Sequence, residues 1–182
     1  MKTLTRTSLV LLASLWVGLL FCIGFVVAPY LFTLAASAST AVPNSAVAAE
    51  LIGPLLYSSD VVGLVVGVLL LMGVTFLRRR GEVPMASRAF LCESSIAAAA
   101  VCAAINYWVF TPQLHQAQQG LAAKYGGFHL ADKADELFQQ FTALHQTSTN
   151  IFIAGFVAAL VALVCMTRFR AVVKPEAEGV AV

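Results

Sequence analysis

The sequence predicts an all-α integral membrane protein, a bundle of four spanning helices. Apolar residues make up 60% of the 182 residues and charged residues only 11%, against roughly 45–50% and about 25% in ordinary soluble domains. Four apolar runs are long enough to cross a hydrocarbon core about 30 Å thick, which needs about 20 residues of helix. Because lipid offers no partners for backbone N–H and C=O groups, each run that spans must be helical.

The four predicted spans follow one another in a single domain. They cover residues of about 8–34, 60–77, 89–110 and 147–167. The first run is much longer than the apolar region of a secretory signal, roughly 7–15 residues, so we interpret it as a retained helix. Glu93 interrupts the third run one turn inside its end, where it can pair with a neighbouring arginine.

Basic residues predict the orientation of the bundle. Nine of the eleven Lys and Arg residues flank the ends of the spans that carry the two termini and the loop after the second span. The positive-inside rule therefore predicts that both termini, including the tail from residue 168 to 182, are cytoplasmic. We expect a multi-pass protein of the plasma membrane, the bacterial inner membrane.

Two longer connections are predicted on the extracytoplasmic side. In the first, from about residue 35 to 59, Gly53-Pro54 is expected to end one short surface helix that starts at Pro43-Asn44-Ser45. In the second, residues 111–146, Thr111-Pro112 is expected to cap a new helix and Gly126-Gly127 to break it. The half after the break has amphipathic helical spacing, so it either lies on the bilayer or extends the fourth span outward.

Small residues and cysteines indicate packing. Gly63 and Gly67 form a G-x-x-x-G pair, a spacing that lets helix backbones approach closely. The four cysteines all lie within predicted spans and share no C-x-x-C spacing. They are therefore interpreted as small packing residues rather than as a disulfide framework.

Polar residues recur at one depth near the outer ends of all four spans. Asn106 lies about four residues before the outer end of the third span, and Asn150 about three residues after the start of the fourth. Intramembrane polar groups are costly and point to function or to helix contacts. We therefore predict a polar layer in the outer third of the membrane. Its candidate residues are His145, Ser148, Asn150, Asn106, Pro29, Tyr30 and Asp60.

Helical periodicity predicts which way the two asparagines face. At 100° per residue, Asn106 shares a stripe with Ser95 and Cys102, and Asn150 shares one with Ala154 and its neighbours. Both asparagines are expected on faces that contact other helices. Interhelical hydrogen bonds from such residues contribute on the order of 0.6 kcal/mol each, so a purely structural role is one interpretation of the layer.

His145 supports a second interpretation. It shares a stripe with Ser148, three residues on, and with Phe141. An uncharged imidazole beside a hydroxyl can bind a metal or haem, move a proton, or only fasten the helix ends. His115 and His129 also lie in the outer connection, but the histidine spacing defines no metal site.

Several short motifs in a fixed order carry a family resemblance. They are W-x-G at Trp16 and Gly18, F-V-V-A-P-Y-L-F at 25–32, Asn106 followed by Pro112, and F-x-x-L-H-x-x-S-x-N at 141–150. Together they resemble the four-helix family carrying domain of unknown function 4149, also called transmembrane-protein-205-like. The resemblance extends from about Leu9 to Thr167 and implies a four-span membrane protein without an assigned reaction.

Two function classes stay open at the level of sequence. In the first, a non-enzymatic bundle uses its polar layer to bind or pass a small solute or ion, or to dock a partner. In the second, a membrane redox, metal or haem protein uses His145 as a ligand. The sequence favours the first class, because it has no second intramembrane histidine and no nucleophile–base arrangement. We expect no cofactor, a lipid bilayer as the environment, no nucleic acid, and a homo-oligomer or membrane partner as an open alternative.

Overall fold

The computed structural model describes residues 2–31, 33, 44–81 and 86–168, with side chains at 6–31, 33, 53–81, 89–128 and 130–168. Within those residues the regular structure is entirely helical, which confirms the predicted all-α class. The five α-helices are α1 (Lys2–Phe21), α2 (Asn44–Arg79), α3 (Ala86–Ile105), α4 (Thr111–Tyr125) and α5 (Glu136–Thr167). Four helical segments are long and apolar enough to span a membrane, as predicted: Arg6–Leu31, Gly53–Arg79, Ala89–Tyr125 and Glu136–Thr167.

An α-helix, α4, begins at Thr111 with Pro112 in its first turn, as predicted, but Thr111 does not cap a separate helix there. The chain passes from α3 through a π turn, Asn106–Phe110, directly into α4. The backbone N–H of Thr111 donates to the carbonyl of Asn106, five residues earlier, which is the hydrogen bonding of a π turn. Pro112 follows in the first turn of α4, where its missing N–H is tolerated. The third span therefore continues outward as one rod.

The prediction that Gly53-Pro54 ends a surface helix is also wrong. The expected start at Asn44 is observed, but α2 runs on through Pro54 to Arg79. A proline removes one backbone hydrogen bond and crowds the preceding turn. In a helix of 36 residues, that local cost is outweighed by the remaining bonds and by the packing of its apolar face, and prolines are accordingly frequent in spanning helices.

The break after α4 is confirmed, and α5 extends the fourth span outward. Gly126 ends α4 in the left-handed region, with φ of 77°, which glycine adopts without steric cost. Asp135 caps α5 by accepting a hydrogen bond from the backbone N–H of Leu137 at 2.8 Å. Its other carboxylate oxygen accepts from Lys124 Nζ and Tyr125 Oη, at 2.5 and 2.6 Å. The start of α5 is therefore tied to the end of α4, and these hydrogen bonds lower the pKa of Asp135 to about 2.

The core lies where α1, α2, α3 and α5 meet. Trp16 is buried against the two glycines of the G-x-x-x-G pair. A Cβ at Gly67 would lie 2.9 Å from Ala100 Cβ and 3.7 Å from Trp16 Cη2, closer to Ala100 than the usual carbon–carbon contact of about 3.5–4.0 Å. The pair is therefore a packing device that brings α1, α2 and α3 together.

The facing predicted for Asn150 is wrong. Both Asn150 and Ala154 are exposed, and the buried stripe of α5 consists of Gly155, Ala159, Ala162 and Met166. At Gly155 a Cβ would lie 3.0 Å from Cys102 Cβ. Since the residues that pack inward are Gly155, Ala159 and Ala162 rather than Asn150, Ala154 and Ala158, the helix is rotated by about one residue from the predicted orientation.

An ion pair joins the end of α2 to the first half of α3. Arg78 Nη1 at the end of α2 donates to Glu93 Oε2 in α3 at 2.7 Å. This contact confirms that Glu93 pairs with an arginine. It also marks the arginine-bearing end, from which the candidate polar residues are remote along each helix.

Candidate functional site

A cavity of about 1070 Å³ lies between the helices at the end of the bundle away from Arg78. We call it the polar cavity. Lining residues lie between Gly24 and Pro29 in the first span and between Gly53 and Asp60 in α2. Others lie between Asn106 and Ala122, in the π turn Asn106–Phe110 and α4, and between Phe141 and Ile153 in α5. All four spans thus reach this one space, at the depth where the sequence predicted a polar layer.

Five of the seven candidate residues line the polar cavity. They are Pro29, Asp60, Asn106, His145 and Ser148. Tyr30 and Asn150 are not among the lining residues; Tyr30 is 61% exposed and Asn150 is also exposed. The five lining residues come from all four spans, whereas Tyr30 and Asn150 lie outside the lining.

Asn106 and Ser148 join α5 to the end of α3 by reciprocal hydrogen bonds. Ser148 Oγ donates to Asn106 Oδ1 at 3.1 Å, and Asn106 Nδ2 donates to the backbone carbonyl of Ser148 at 3.4 Å. Asn106 is only 4% exposed. Asn150, which the sequence places level with Asn106, does not take part; the partner of Asn106 lies two residues earlier, because α5 turns Ser148 rather than Asn150 towards α3.

Asp60 brings a carboxyl group into the wall of the cavity. It is 6% exposed and lies seven residues beyond Gly53, about 10 Å along α2. The ion pairs among the described residues, Arg78 with Glu93 and Lys124 with Asp135, do not involve it, and no described side chain or N–H donates to it. A charge at this depth is costly without a partner, so Asp60 is the member of the wall for which the fold supplies no compensation.

Aromatic side chains make up much of the remaining wall. Tyr57 and Tyr107 place their hydroxyl oxygens 3.0 Å apart and their ring centroids 5.0 Å apart, which links α2 to the second π turn. His145 stacks on Phe141 with centroids 6.0 Å apart and planes 4° apart. Sequence reasoning missed Tyr107; its position next to Asn106 was the available signal.

The helical backbone departs from regular α geometry around the cavity. Gly24 lies in a π turn, Cys22–Val27, and Asn106 in the other. At Gly24 a Cβ would lie 2.6 Å from Phe152 Cε1, so only glycine leaves room for that ring. Pro54, within α2, also lines the cavity. Since π turns in α-helices occur frequently at functional sites, their position supports a functional role for this end of the bundle.

The metal or haem role of His145 stays a prediction. His115 and His145 both line the cavity, and His115 Nε2 lies 2.8 Å from Gln119 Nε2. Among the described residues, no three His, Cys, Asp or Glu side chains are grouped so that they can hold a metal ion. The described residues therefore offer hydrogen bonds, one carboxyl and an aromatic surface.

Comparison with known proteins adds one finding. The sequence profile of the family described as Domain of unknown function (DUF4149) matches residues 11–122. The match covers most of the first span, the second and third spans and most of α4, including Asn106 and Pro112, and it ends before the segment from Phe141 to Asn150. No curated protein and no solved structure matches the chain.

Proposed function

We propose that this chain, which belongs to the DUF4149 family, binds a small, mostly apolar solute in its polar cavity. The observation that carries the proposal is the convergence of Asp60 and the Asn106–Ser148 pair on one space of about 1070 Å³. Binding sites for small molecules are clefts of roughly 300–1,000 Å³, mostly apolar, with a few placed polar groups. The polar cavity fits that description in both size and composition.

A purely structural layer accounts for only part of the wall. The Asn106–Ser148 pair joins two helices, as interhelical hydrogen bonds in membrane bundles commonly do. Asp60 joins nothing among the described residues, and a bundle selected for stability alone gains nothing from a buried carboxyl. The unused space beside this carboxyl favours a bound molecule over a bundle that is only fastened at this end.

The charge distribution supports an extracytoplasmic position for the cavity. Arg78, Arg79 and Arg80 end the second span at the opposite end of the bundle, and basic residues flank the cytoplasmic ends of spans. A reporter fused after Val182 that is active only in the cytoplasm should therefore be active, and the same reporter inserted at Gly126 should be silent. The reverse result would place the cavity on the cytoplasmic side.

Native mass spectrometry of the purified full-length protein tests solute binding. We expect the wild type to carry a small-molecule adduct. Ala28→Trp should remove the adduct, because Ala28 lines the cavity and the indole would obstruct it. The matched variant Ala154→Trp should keep the adduct, since Ala154 is exposed and outside the lining. A wild type without an adduct, or equal loss in both variants, would contradict the proposal.

A further inference from the structure

We infer that the polar cavity selects an organic cation, with the Asp60 carboxylate as its counter-ion and aromatic rings as its walls. This inference rests on the proposed function and narrows it to one chemical class of solute. Its basis is the charge balance of the wall, the isolation of Asp60 within the fold and the size of the space.

The wall of the cavity is one-sided in charge. Among the residues that the structure describes, its lining includes a single carboxyl, that of Asp60, and no lysine or arginine. An anionic solute would therefore meet a negative charge in a medium of low dielectric constant, with no fixed cation to offset the repulsion. A cationic solute would supply the positive charge that the described residues do not place beside Asp60.

Aromatic side chains suit the rest of a cation's surface. Tyr57, Tyr107, Phe25, Phe141 and Phe152 all line the cavity. The negative faces of aromatic rings attract cations within about 6 Å, and the attraction strengthens when the site excludes water. Quaternary and protonated amines are bound in this way, so the same wall can hold both the charge and the apolar groups attached to it.

The size of the space and the choice of oxygen atoms argue against a bare metal ion. Hard cations need about six or more oxygen ligands at 2.0–2.6 Å. Within the described part of the chain, Asp60 is the only carboxyl in the lining, and Asn106 Oδ1 already accepts from Ser148. A space of about 1070 Å³ is also far larger than one ion. An organic cation fills the space and places its charge at Asp60.

The test uses two rigid probes of equal shape and opposite charge, tetraphenylphosphonium and tetraphenylborate. Binding of each to the full-length protein in lipid nanodiscs is measured by equilibrium dialysis against empty nanodiscs. We expect the wild type to bind the phosphonium at least tenfold more tightly than the borate. Asp60→Asn should weaken phosphonium binding at least tenfold, and Glu136→Gln, which removes an exposed carboxylate outside the cavity, should leave it unchanged.

Two further variants make every outcome informative. Ala28→Trp keeps Asp60 but obstructs the cavity, so it should abolish phosphonium binding. Asp60→Glu keeps the negative charge, so it should retain phosphonium binding, and it serves as the charge test if Asp60→Asn does not fold. Equal binding of the two probes, or unchanged phosphonium binding in Asp60→Asn, would overturn the cation inference. If a probe of either charge still binds and Ala28→Trp abolishes that binding, the proposed function survives this result; if neither probe binds, the cation inference fails, and the adduct experiment alone decides the proposed function.

Discussion

Removal of the Asn106–Ser148 contact should destabilise the protein by a definite and modest amount. The perturbation is a double-mutant cycle that consists of Asn106→Ala, Ser148→Ala and the double variant. Each single substitution removes one of the two side-chain partners of the 3.1 Å hydrogen bond, and the double variant removes both. The matched control is Asn150→Ala. The sequence places Asn150 at the same depth as Asn106, but Asn150 is exposed in the structure.

The structure sets the expected magnitude of the coupling energy. The O–H···O bond at 3.1 Å lies just beyond its usual range of about 2.5–3.0 Å, and the N–H···O bond at 3.4 Å exceeds its usual range of about 2.7–3.2 Å, so neither bond is expected to reach the upper end of the energies seen in membrane bundles. Interhelical hydrogen bonds in a membrane bundle average about 0.6 kcal/mol and reach about 1.7. We therefore expect a coupling free energy of about 1 kcal/mol. Asn106→Ala alone should cost about 1–3 kcal/mol, because it also empties a buried site.

The free energy of unfolding can be measured by titration with sodium dodecyl sulfate in mixed micelles, followed by far-ultraviolet circular dichroism. Asn150→Ala should lie within about 0.5 kcal/mol of the wild type, as expected for an exposed position. The reasoning would be refuted by a coupling energy near zero between Asn106 and Ser148. It would also be refuted if Asn106 coupled to Asn150 instead.

Two further predictions concern packing and pH. Gly67→Ala should be about 1–3 kcal/mol less stable than Gly18→Ala in the same titration. Both variants gain the same helix propensity, but only position 67 places its Cβ 2.9 Å from Ala100 Cβ. Ala100→Gly should relieve the loss of stability, and equal stability of the two glycine variants would count against the close packing. The hydrogen bonds that lower the pKa of Asp135 to about 2 should stabilise the fold above the unfolded pKa of about 3.9. The difference in melting temperature between the wild type and Asp135→Asn should therefore be constant above about pH 4 and shrink towards zero near pH 2, and a difference that stays constant to pH 2 would contradict this assignment.

The sequence was most informative where lipid imposes a physical limit. The length of an apolar run sets the number of spans, and counting inward from a span's end places a polar residue at a depth. These arguments predicted the four spans and brought Pro29, Asp60 and Asn106 to one level, where the structure has the polar cavity. Depth depends only on rise per residue, so small local distortions of a helix change it little.

The direction in which a side chain points around the helix axis was less predictable. This angle advances by 100° per residue, so each irregularity of the helix changes it for all residues that follow. A π turn at Asn106 shifts the hydrogen bonding by one residue, and the close approach at Gly155 sets the rotation of α5. Both depend on the neighbouring helix, which periodicity does not include. Local sequence also predicts a helix end at Pro54, because it does not include the packing of neighbouring helices, and the packed helix continues through this proline.

The measurement that tests the central claim most directly is thiol modification at two adjacent positions of α5. Ile153 and Ala154 are both exposed, but only Ile153 lines the polar cavity, and the two differ in depth by only about 1.5 Å. In a variant whose four native cysteines are replaced by alanine, each position is changed to cysteine and treated in intact membranes with a membrane-impermeant cationic methanethiosulfonate. A water-accessible cavity predicts rapid modification of Ile153→Cys and little of Ala154→Cys, and addition of Ala28→Trp should abolish the difference. Equal modification of the two positions would contradict the existence of a solute-accessible cavity in the bundle.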